Sequence, residues 1–329
     1  MLSTNVSDLA LIVKELMAKL KVHRSFLAPK MAARFHKSSV LNGLISRLKA
    51  RGRLPGAAKP RIAFPEFSVD ARVQQACAEL EDEGDFEVIT SLDCLDTANQ
   101  QLKRGDLHGV VSGAATSTGD VIRSGLRNVG LAEGIKALSS FFIMELPDGQ
   151  SFIYSDCGVQ LEPDAAQLAE IAVLSAESCR LLLDKEPVVG MLSFSTLGSV
   201  AKGGQLDKVR GAIDIIRASP GDAHILKAFG ELQVDAALIP SIFASKSAGA
   251  PDAVVAENAD KPANTLIFPD LNAGNIGYKL TERMAGARAV GPILQGLAGS
   301  SHDLSRGCSV QDVKDVAYVT AFLGLADEM

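Results

Sequence analysis

The sequence predicts an α/β protein built on mainly parallel sheets with helices on both faces. Three observations carry this. From residue 61 onward, short apolar runs alternate with stretches of helical periodicity, the pattern of strand–helix–strand units. The chain is 47% hydrophobic but only 5% aromatic and has no tryptophan, so small aliphatic side chains must fill closely packed layers. At 329 residues it can hold one large domain or two medium ones.

The elements follow in order. "RIAFPE" (61–66) reads as a strand ended by its proline, and "SVDARVQQACAELEDEG" (68–84) as an amphipathic helix stopped by Gly84. "FEVIT" (86–90) and "LHGVVSGA" (107–114) read as strands, and "STGDVIRSGLRNVG" (117–130) as a helix closed by Gly130. "ALSSFFIMEL" is a buried strand and "SFIYSDCGV" its strand or hairpin partner. "PDAAQLAEIAVLSAESCRLLL" is a helix with Leu168, Ile171, Ala172, Ser175, Cys179 and Leu182 on one face. "PVVGMLSF" (187–194) is a strand, "LDKVRGAIDIIRAS" a helix, and Ala236 to Lys246 a further helix. "NTLIFPDL" (264–271) is the last predicted strand, and "VQDVKDVAYVTAFLGLA" closes the chain as a helix.

Charge divides the chain unevenly. Residues 1–61 carry thirteen Lys/Arg against Asp8 and Glu15, a local +11 within a net charge of −6. A basic leader of this kind can be an organellar transit peptide, but Asp8 and Glu15 sit inside it and no clear cleavage site follows; Leu9, Ile12, Val13, Leu16 and Leu20 recur at the spacing of a plain basic helix, the favoured reading. The acidic remainder, and basic residues without interleaved aromatics, exclude nucleic acid as a partner. No run of eighteen apolar residues suggests a membrane span. Five scattered cysteines without a CxxC pair point to a reducing compartment, the cytoplasm, and exclude a disulfide framework or zinc site.

In a parallel α/β sheet, ligands bind beyond the carboxyl ends of the strands. Three loops there are rich in small polar residues: "SGAATSTGD" after Val111, "STLGSVAKGG" after Phe194 and "NAGNIGYK" after Leu271. Each can be an ordinary capped turn, or an anion site made of backbone N–H groups. Three of them, with Arg123 in the helix after the first and Arg306 beside a fourth, point to a phosphate-bearing substrate. Ser117, Thr118, Asn275 and Tyr278 are the candidate substrate-binding side chains of the first and third. In "HDLSRGCSVQD" (302–312), Arg306 can clamp phosphate and Ser305 can donate to a developing oxyanion. Asp312 suits a helix-start carboxylate or a general base. Cys308 reads as a small apolar filler and His302 as a surface histidine.

These residues resemble a family. "FPE" (64–66), "SGAATSTGDVIRSGLRNVG" (112–130), "DCGV" (156–159), "AAQLAEIAVLSAES" (165–178) and "MLSFSTLGS" (191–199) lie in the order found in phosphate acetyltransferases, including the ethanolamine-utilisation type. So do "GELQVDAALIP" (230–240), "LIFPDLNAGNIGYKL" (266–280) and "GPILQGLAGSSHDLSRGCSVQDV" (291–313). The phosphate butyryltransferases share much of the pattern.

The resemblance implies two three-layer α/β domains of isocitrate-dehydrogenase-like architecture with the site in the cleft between them. The basic extension would span 1–40, the first domain 41–135 plus 292–329, and the second 136–291. It implies reversible transfer of acetyl between coenzyme A and phosphate in a ternary complex, with acetyl-CoA, phosphate and acetyl phosphate as substrates, no cofactor, and a homodimer. Ser305 then bonds the reacting thioester, Arg306 and Arg123 bind substrate, and Asp312 takes the thiol proton. The segment from Glu66 to Ala114 is shorter than its family counterpart, which keeps open a non-catalytic relative with the same fold, alongside a butyryl- or propionyltransferase. A nicotinamide-dependent dehydrogenase is a weaker third reading, since no GxGxxG follows a strand.

Overall fold

The computed structural model describes residues 39–52, 58–201, 203–219, 230–247 and 261–326. The helix expected in the leader, and residues 248–260 of the long loop before "LIFPDL", lie outside them.

Strands β1 (Arg61–Ala63), β2 (Glu87–Ile89), β3 (Gly109–Ser112) and β10 (Ser301–Asp303) form one sheet, ordered β10-β3-β1-β2 and parallel throughout. Six others form a second sheet: β4 (Ser139–Glu145), β5 (Ser151–Ser155), β6 (Val189–Leu192), β7 (Glu231–Leu232), β8 (Thr265–Ile267) and β9 (Arg288–Gln295). Their order is β7-β6-β8-β5-β4-β9. The first four are parallel, and β4 runs antiparallel to both β5 and β9. The sequence therefore indicates the right class, mainly parallel α/β. It does not reveal β9 and β10, because neither is a long apolar run.

Alternation along the strands sorts side chains between the layers. Ile62, Phe64 and Val111 join a cluster with α2 (Ala71–Glu83) and α10 (Val310–Ala326). Ala63 and Val110 face the other way, into a cluster with α3 (Leu95–Lys103). The sheet is thus covered on both faces, as a parallel sheet requires. The second sheet repeats the arrangement. Val189, Met191 and Ile267 pack under α5 (Ala165–Leu183) and α6 (Gly204–Ala218). Phe142, Tyr154, Leu266 and Phe268 pack on the opposite face.

Local signals set most helix ends. Asp70 caps α2 by accepting from the Arg72 and Val73 amides, and Gly84 ends it in the left-handed conformation. Asp164 and Gln167 close a capping box on α5, and the predicted apolar face of that helix is buried throughout. The helix expected from Ala236 to Lys246 is instead two short ones, α7 (Val234–Leu238) and α8 (Pro240–Lys246). Pro240 lacks an N–H and forces Ile239 into an extended conformation, so the second helix restarts with proline in its first turn.

Helix α1 (Ser39–Gly52) was not expected. Leu41, Leu44 and Leu48 enter the main core on one stripe. Arg47 donates to the carbonyls of Leu181 and Leu182, and Arg51 to that of Leu325, so two guanidiniums satisfy the bare carboxyl ends of α5 and α10.

Gly324 brings α10 onto the start of β3: a Cβ there would overlap the His108 carbonyl. Gly324→Ala gains helix propensity but must push this central helix off the sheet. The expected net loss is about 1–3 kcal/mol, read from the denaturant midpoint.

Candidate active site

The loops after β1, β3 and β10 leave the same edge of the parallel sheet, and buried polar groups bind them together. Glu66, in the loop after β1, is 5% exposed. Its Oε2 accepts from the amides of Gly113 (3.0 Å) and Ala114 (2.7 Å), and its Oε1 from Thr116 (2.6 Å). The "SGAATS" turn therefore is an anion-binding concavity, but the anion it holds is the chain's own carboxylate. The expectation that these amides cradle a phosphate is corrected here.

Arg72 supplies the second tie. Its guanidinium donates to the carbonyls of Arg306 and Cys308, each at 2.8 Å, and of Ala114 at 2.9 Å, while Asp70 holds it through two hydrogen bonds. Burial alone would push the Asp70 carboxyl up; its bonds to Arg72 outweigh this and hold it below the usual range. The Leu304 amide donates to Ser112 at 2.7 Å, which continues the β3–β10 ladder into the loop. Glu66, Arg72 and Asp70 were not among the expected site residues. Their signal was present in "FPE" and in the helix-opening "DAR", but a hydrogen bond across more than two hundred residues leaves no local spacing.

On this frame Ser305 and Arg306 are exposed. The Arg306 guanidinium has no partner among the described residues, whereas its carbonyl is fixed by Arg72. Ser305 Oγ accepts from the Gly307 amide at 3.2 Å, leaving its hydroxyl hydrogen free to donate outward. Asp312 completes a capping box at the head of α10. Its Oδ2 accepts from Ser309 N (2.8 Å) and Ser309 Oγ (2.9 Å), and the Asp312 amide donates back to Ser309 Oγ. Its Oδ1 has no hydrogen-bond partner among the described residues. The helix-start reading of Asp312 is thus what the geometry shows, through one carboxylate oxygen.

Helix α4 (Thr118–Asn128) starts at the Ser117 cap. Ser117 Oγ donates to Asp120 (2.5 Å) and Thr118 Oγ1 to Asp303 (2.7 Å), so both hydroxyl hydrogens are committed within the protein. Arg123 is exposed and paired with Asp120 at 2.5 Å, so an incoming anion must compete for it.

Asn275 and Tyr278 belong to the second sheet. "NAGNIGYK" is not a loop but the first turns of α9 (Leu271–Ala285), whose cap is Asp270. Gly274 allows contact with the Asp156 carbonyl, Asn275 donates to Cys157 O at 3.3 Å, and the Tyr278 ring stacks on Phe142 at 4.2 Å. The second Gly-rich loop, after β6, also closes on a carboxylate of its own: Glu231 accepts from Gly198 N (2.8 Å) and pairs with Arg210 (2.6 Å). Val159, from the loop after β5, joins one apolar cluster with Val121 and Ile122 of α4. The loop after β5 in the second sheet therefore meets, through this cluster, the helix α4 that carries Arg123.

His302 is not a surface residue. It is 2% exposed, accepts from Leu294 N through Nδ1 and meets Ser300 Oγ through Nε2 at 2.9 Å, pinning β10 to β9. Burial lowers its pKa to about 3. Burial raises the Cys308 thiol to about 11, only partly offset by Arg72, so it is no thiolate nucleophile near neutral pH. Among the described residues no group of three or more His, Cys, Asp or Glu could hold a metal ion.

The described fold and these motifs have close counterparts. A family model described as "Phosphate acetyl/butaryl transferase" matches residues 87–321. A phosphate acetyltransferase of Clostridium acetobutylicum is 46% identical over 228 residues, 68% of this chain and 65% of that enzyme. The chain thus spans about two thirds of that relative's length. A phosphotransacetylase structure from Streptococcus pyogenes superposes with a TM-score of 0.74 at 33% identity, covering 87% of this chain and 99% of the other. The EutD phosphotransacetylase of Staphylococcus aureus follows at 0.71 and 32%, covering 86% and 99%.

His302 yields a pH prediction. Its neutral form is the folded form, so the unfolded chain takes up a proton first on acidification. Stability from this group is complete above the unfolded value of 6.5 and is lost as pH falls toward about 3. The stability gap between wild type and His302→Gln should therefore narrow on acidification, by up to about 1.4 kcal/mol per pH unit, in urea titrations at stepped pH.

Proposed function

The chain belongs to the phosphate acetyl/butaryl transferase family, and from that membership we propose that it moves acetyl reversibly between coenzyme A and inorganic phosphate, without a cofactor. The observation that carries this reading is the exposed Ser305–Arg306 pair, its guanidinium without a partner among the described residues, on a loop fixed by Arg72 at the carboxyl edge of a parallel sheet. A cation free of internal partners on a rigid loop can hold a phosphoryl group without first breaking a bond.

In the thioester-forming direction, the coenzyme A thiol loses its proton to the open Oδ1 of Asp312, and the sulfur attacks the acetyl carbonyl of acetyl phosphate. Ser305 donates its hydroxyl to the oxyanion that develops. The carbon–oxygen bond to phosphate then breaks, and Arg306 and Arg123 retain the leaving phosphate. No protein nucleophile is needed, because holding both substrates together supplies the rate. That suits a Cys308 kept as a buried thiol. Ser117 and Thr118 flank the phosphate side at the head of α4. Asn275 and Tyr278 contribute from the second sheet. A butyryl- or propionyltransferase would use the same steps, and a panel of acyl phosphates separates them: preference for four carbons over two rejects the acetyl assignment.

The reading includes a homodimer. α9 leaves Ile276, Leu280 and Met284 exposed on one stripe, 57%, 52% and 80% open, and buries only Gly274. Such a stripe at four-residue spacing suits a second copy of the chain. No described helix is long and apolar enough to cross a membrane, and we place the enzyme in the cytoplasm.

The test is thioester formation from acetyl phosphate and coenzyme A. Ser305→Ala should lower turnover by about 10²–10³ with KM little changed, as for loss of an oxyanion donor. Arg306→Ala should raise KM for acetyl phosphate and lower turnover together. A change under about threefold in Ser305→Ala makes its role untenable. For the dimer, Leu280→Asp should shift the sedimentation coefficient toward the monomer while the circular dichroism spectrum is unchanged.

A further inference from the structure

Asp303 ends β10, two residues before Ser305, and is 1% exposed. Its Oδ2 accepts from Thr118 Oγ1 at 2.7 Å; its Oδ1 is buried and has no hydrogen-bond partner. Ser112 is its registered neighbour on β3, and Ser112 Oγ is likewise buried without a partner. Registered neighbours on adjacent strands project from the same face of the sheet. The two orphaned atoms therefore share one side of the strand pair, directly beneath the loops that carry Arg306 and α4. A Cβ on Gly113 would overlap Asp303 Oδ1, so the carboxyl occupies the space that a side chain at 113 would need.

An ionised Asp303 would be a buried charge with one bare oxygen, facing Glu66 as a second buried carboxyl. A neutral acid removes the conflict. Oδ2 already accepts from Thr118, so the proton belongs on Oδ1, and Ser112 Oγ is an unpartnered group on that face able to receive it after a small side-chain rotation or through one buried water. The surrounding elements offer no cation to reverse this. Arg72 and Asp70 of the α2 side are bonded to each other, Asp120 and Arg123 pair on the exposed face of α4, and Asp312 at the head of α10 faces its Ser309 cap. His302, the preceding residue, is buried and neutral. Burial raises Asp303 to about 7, with Glu66 adding to the rise and the Thr118 hydroxyl and Leu304 amide opposing it.

We propose that Asp303 is a positioning residue that works as a neutral carboxylic acid: it ties the first residue of α4 to the strand leading into Ser305 and Arg306, and it keeps a second negative charge, beside that of Glu66, out of the floor of an anion-binding site. Once ionised, it sets a buried charge against the incoming acyl phosphate, and affinity for that substrate falls. The proposal rests on the acyl-transfer reading of the same site.

The experiment compares KM for acetyl phosphate in wild type and Asp303→Asn between about pH 6 and about pH 8. Asparagine keeps an acceptor for Thr118 Oγ1 and cannot ionise. Taking the ratio of the two enzymes cancels the substrate's own ionisation. The wild-type KM should rise at least about threefold relative to the variant across this range, with the kcat ratio moving less. A ratio independent of pH overturns the proposal. A second measurement needs neither activity nor the variant: the infrared C=O stretch of a protonated carboxylic acid should be present in wild type at the lower pH and fade at the higher. Its absence at the lower pH also overturns the proposal. No thioester formed at any pH would instead defeat the acyl-transfer reading, and the substrate half of this proposal with it, while the infrared band still decides the state of Asp303.

Discussion

The architecture of the site depends on one buried carboxylate. Glu66 accepts three backbone amides from the turn after β3, and without it those N–H groups would be buried or bare at the edge of the sheet. The bond runs from one loop to another, so it fixes their relative height over the sheet. Arg72 then adds the third loop by donating to the Ala114, Arg306 and Cys308 carbonyls. Acceptors and donors are matched: a carboxylate gathers amides and a guanidinium gathers carbonyls. The result is a rigid edge from which Arg306 projects with its own charge unused.

The second sheet uses the same device. Asp156, 2% exposed, accepts from Ser140 and from the amides of Gly158, Val159 and Gln160 in the loop after β5. Glu231 does so for the loop after β6, where burial would raise its pKa but Arg210 and the Gly198 amide hold it low. Loops that resemble phosphate cradles by composition are thus filled by internal acids. Among the described residues the network leaves over the Arg306 guanidinium, the Ser305 hydroxyl hydrogen and one oxygen of Asp312, the groups to which the proposed function assigns substrate binding and proton transfer.

This distribution also separates the buried residues of the 302–312 stretch from the exposed ones. His302 and Cys308 are the reactive types by reputation, yet burial disables both: one ring cannot charge near neutral pH and one thiol cannot ionise. Ser305 and Arg306, less conspicuous in isolation, face outward. The strand β10 and Leu304 are buried throughout, and exposure begins only where the chain leaves the sheet at Ser305.

By itself the sequence determined the α/β class and the helices α2, α4, α5, α6 and α10, because these rest on local periodicity and caps, and it singled out the serine–arginine–aspartate set as a motif contiguous in the chain. Asp70, Gly84, Asp164 and Ser117 were readable as helix ends for that reason. Only the tertiary structure decided that His302 is buried, that "NAGNIGYK" is helix, that Pro240 divides one helix into two, and that the amides at 113–116 already hold Glu66. Each of these turns on a partner far along the chain or on the solvent a residue loses when the chain packs. Burial and long-range pairing set whether a group is charged, bonded or free, and no spacing within a local stretch encodes them.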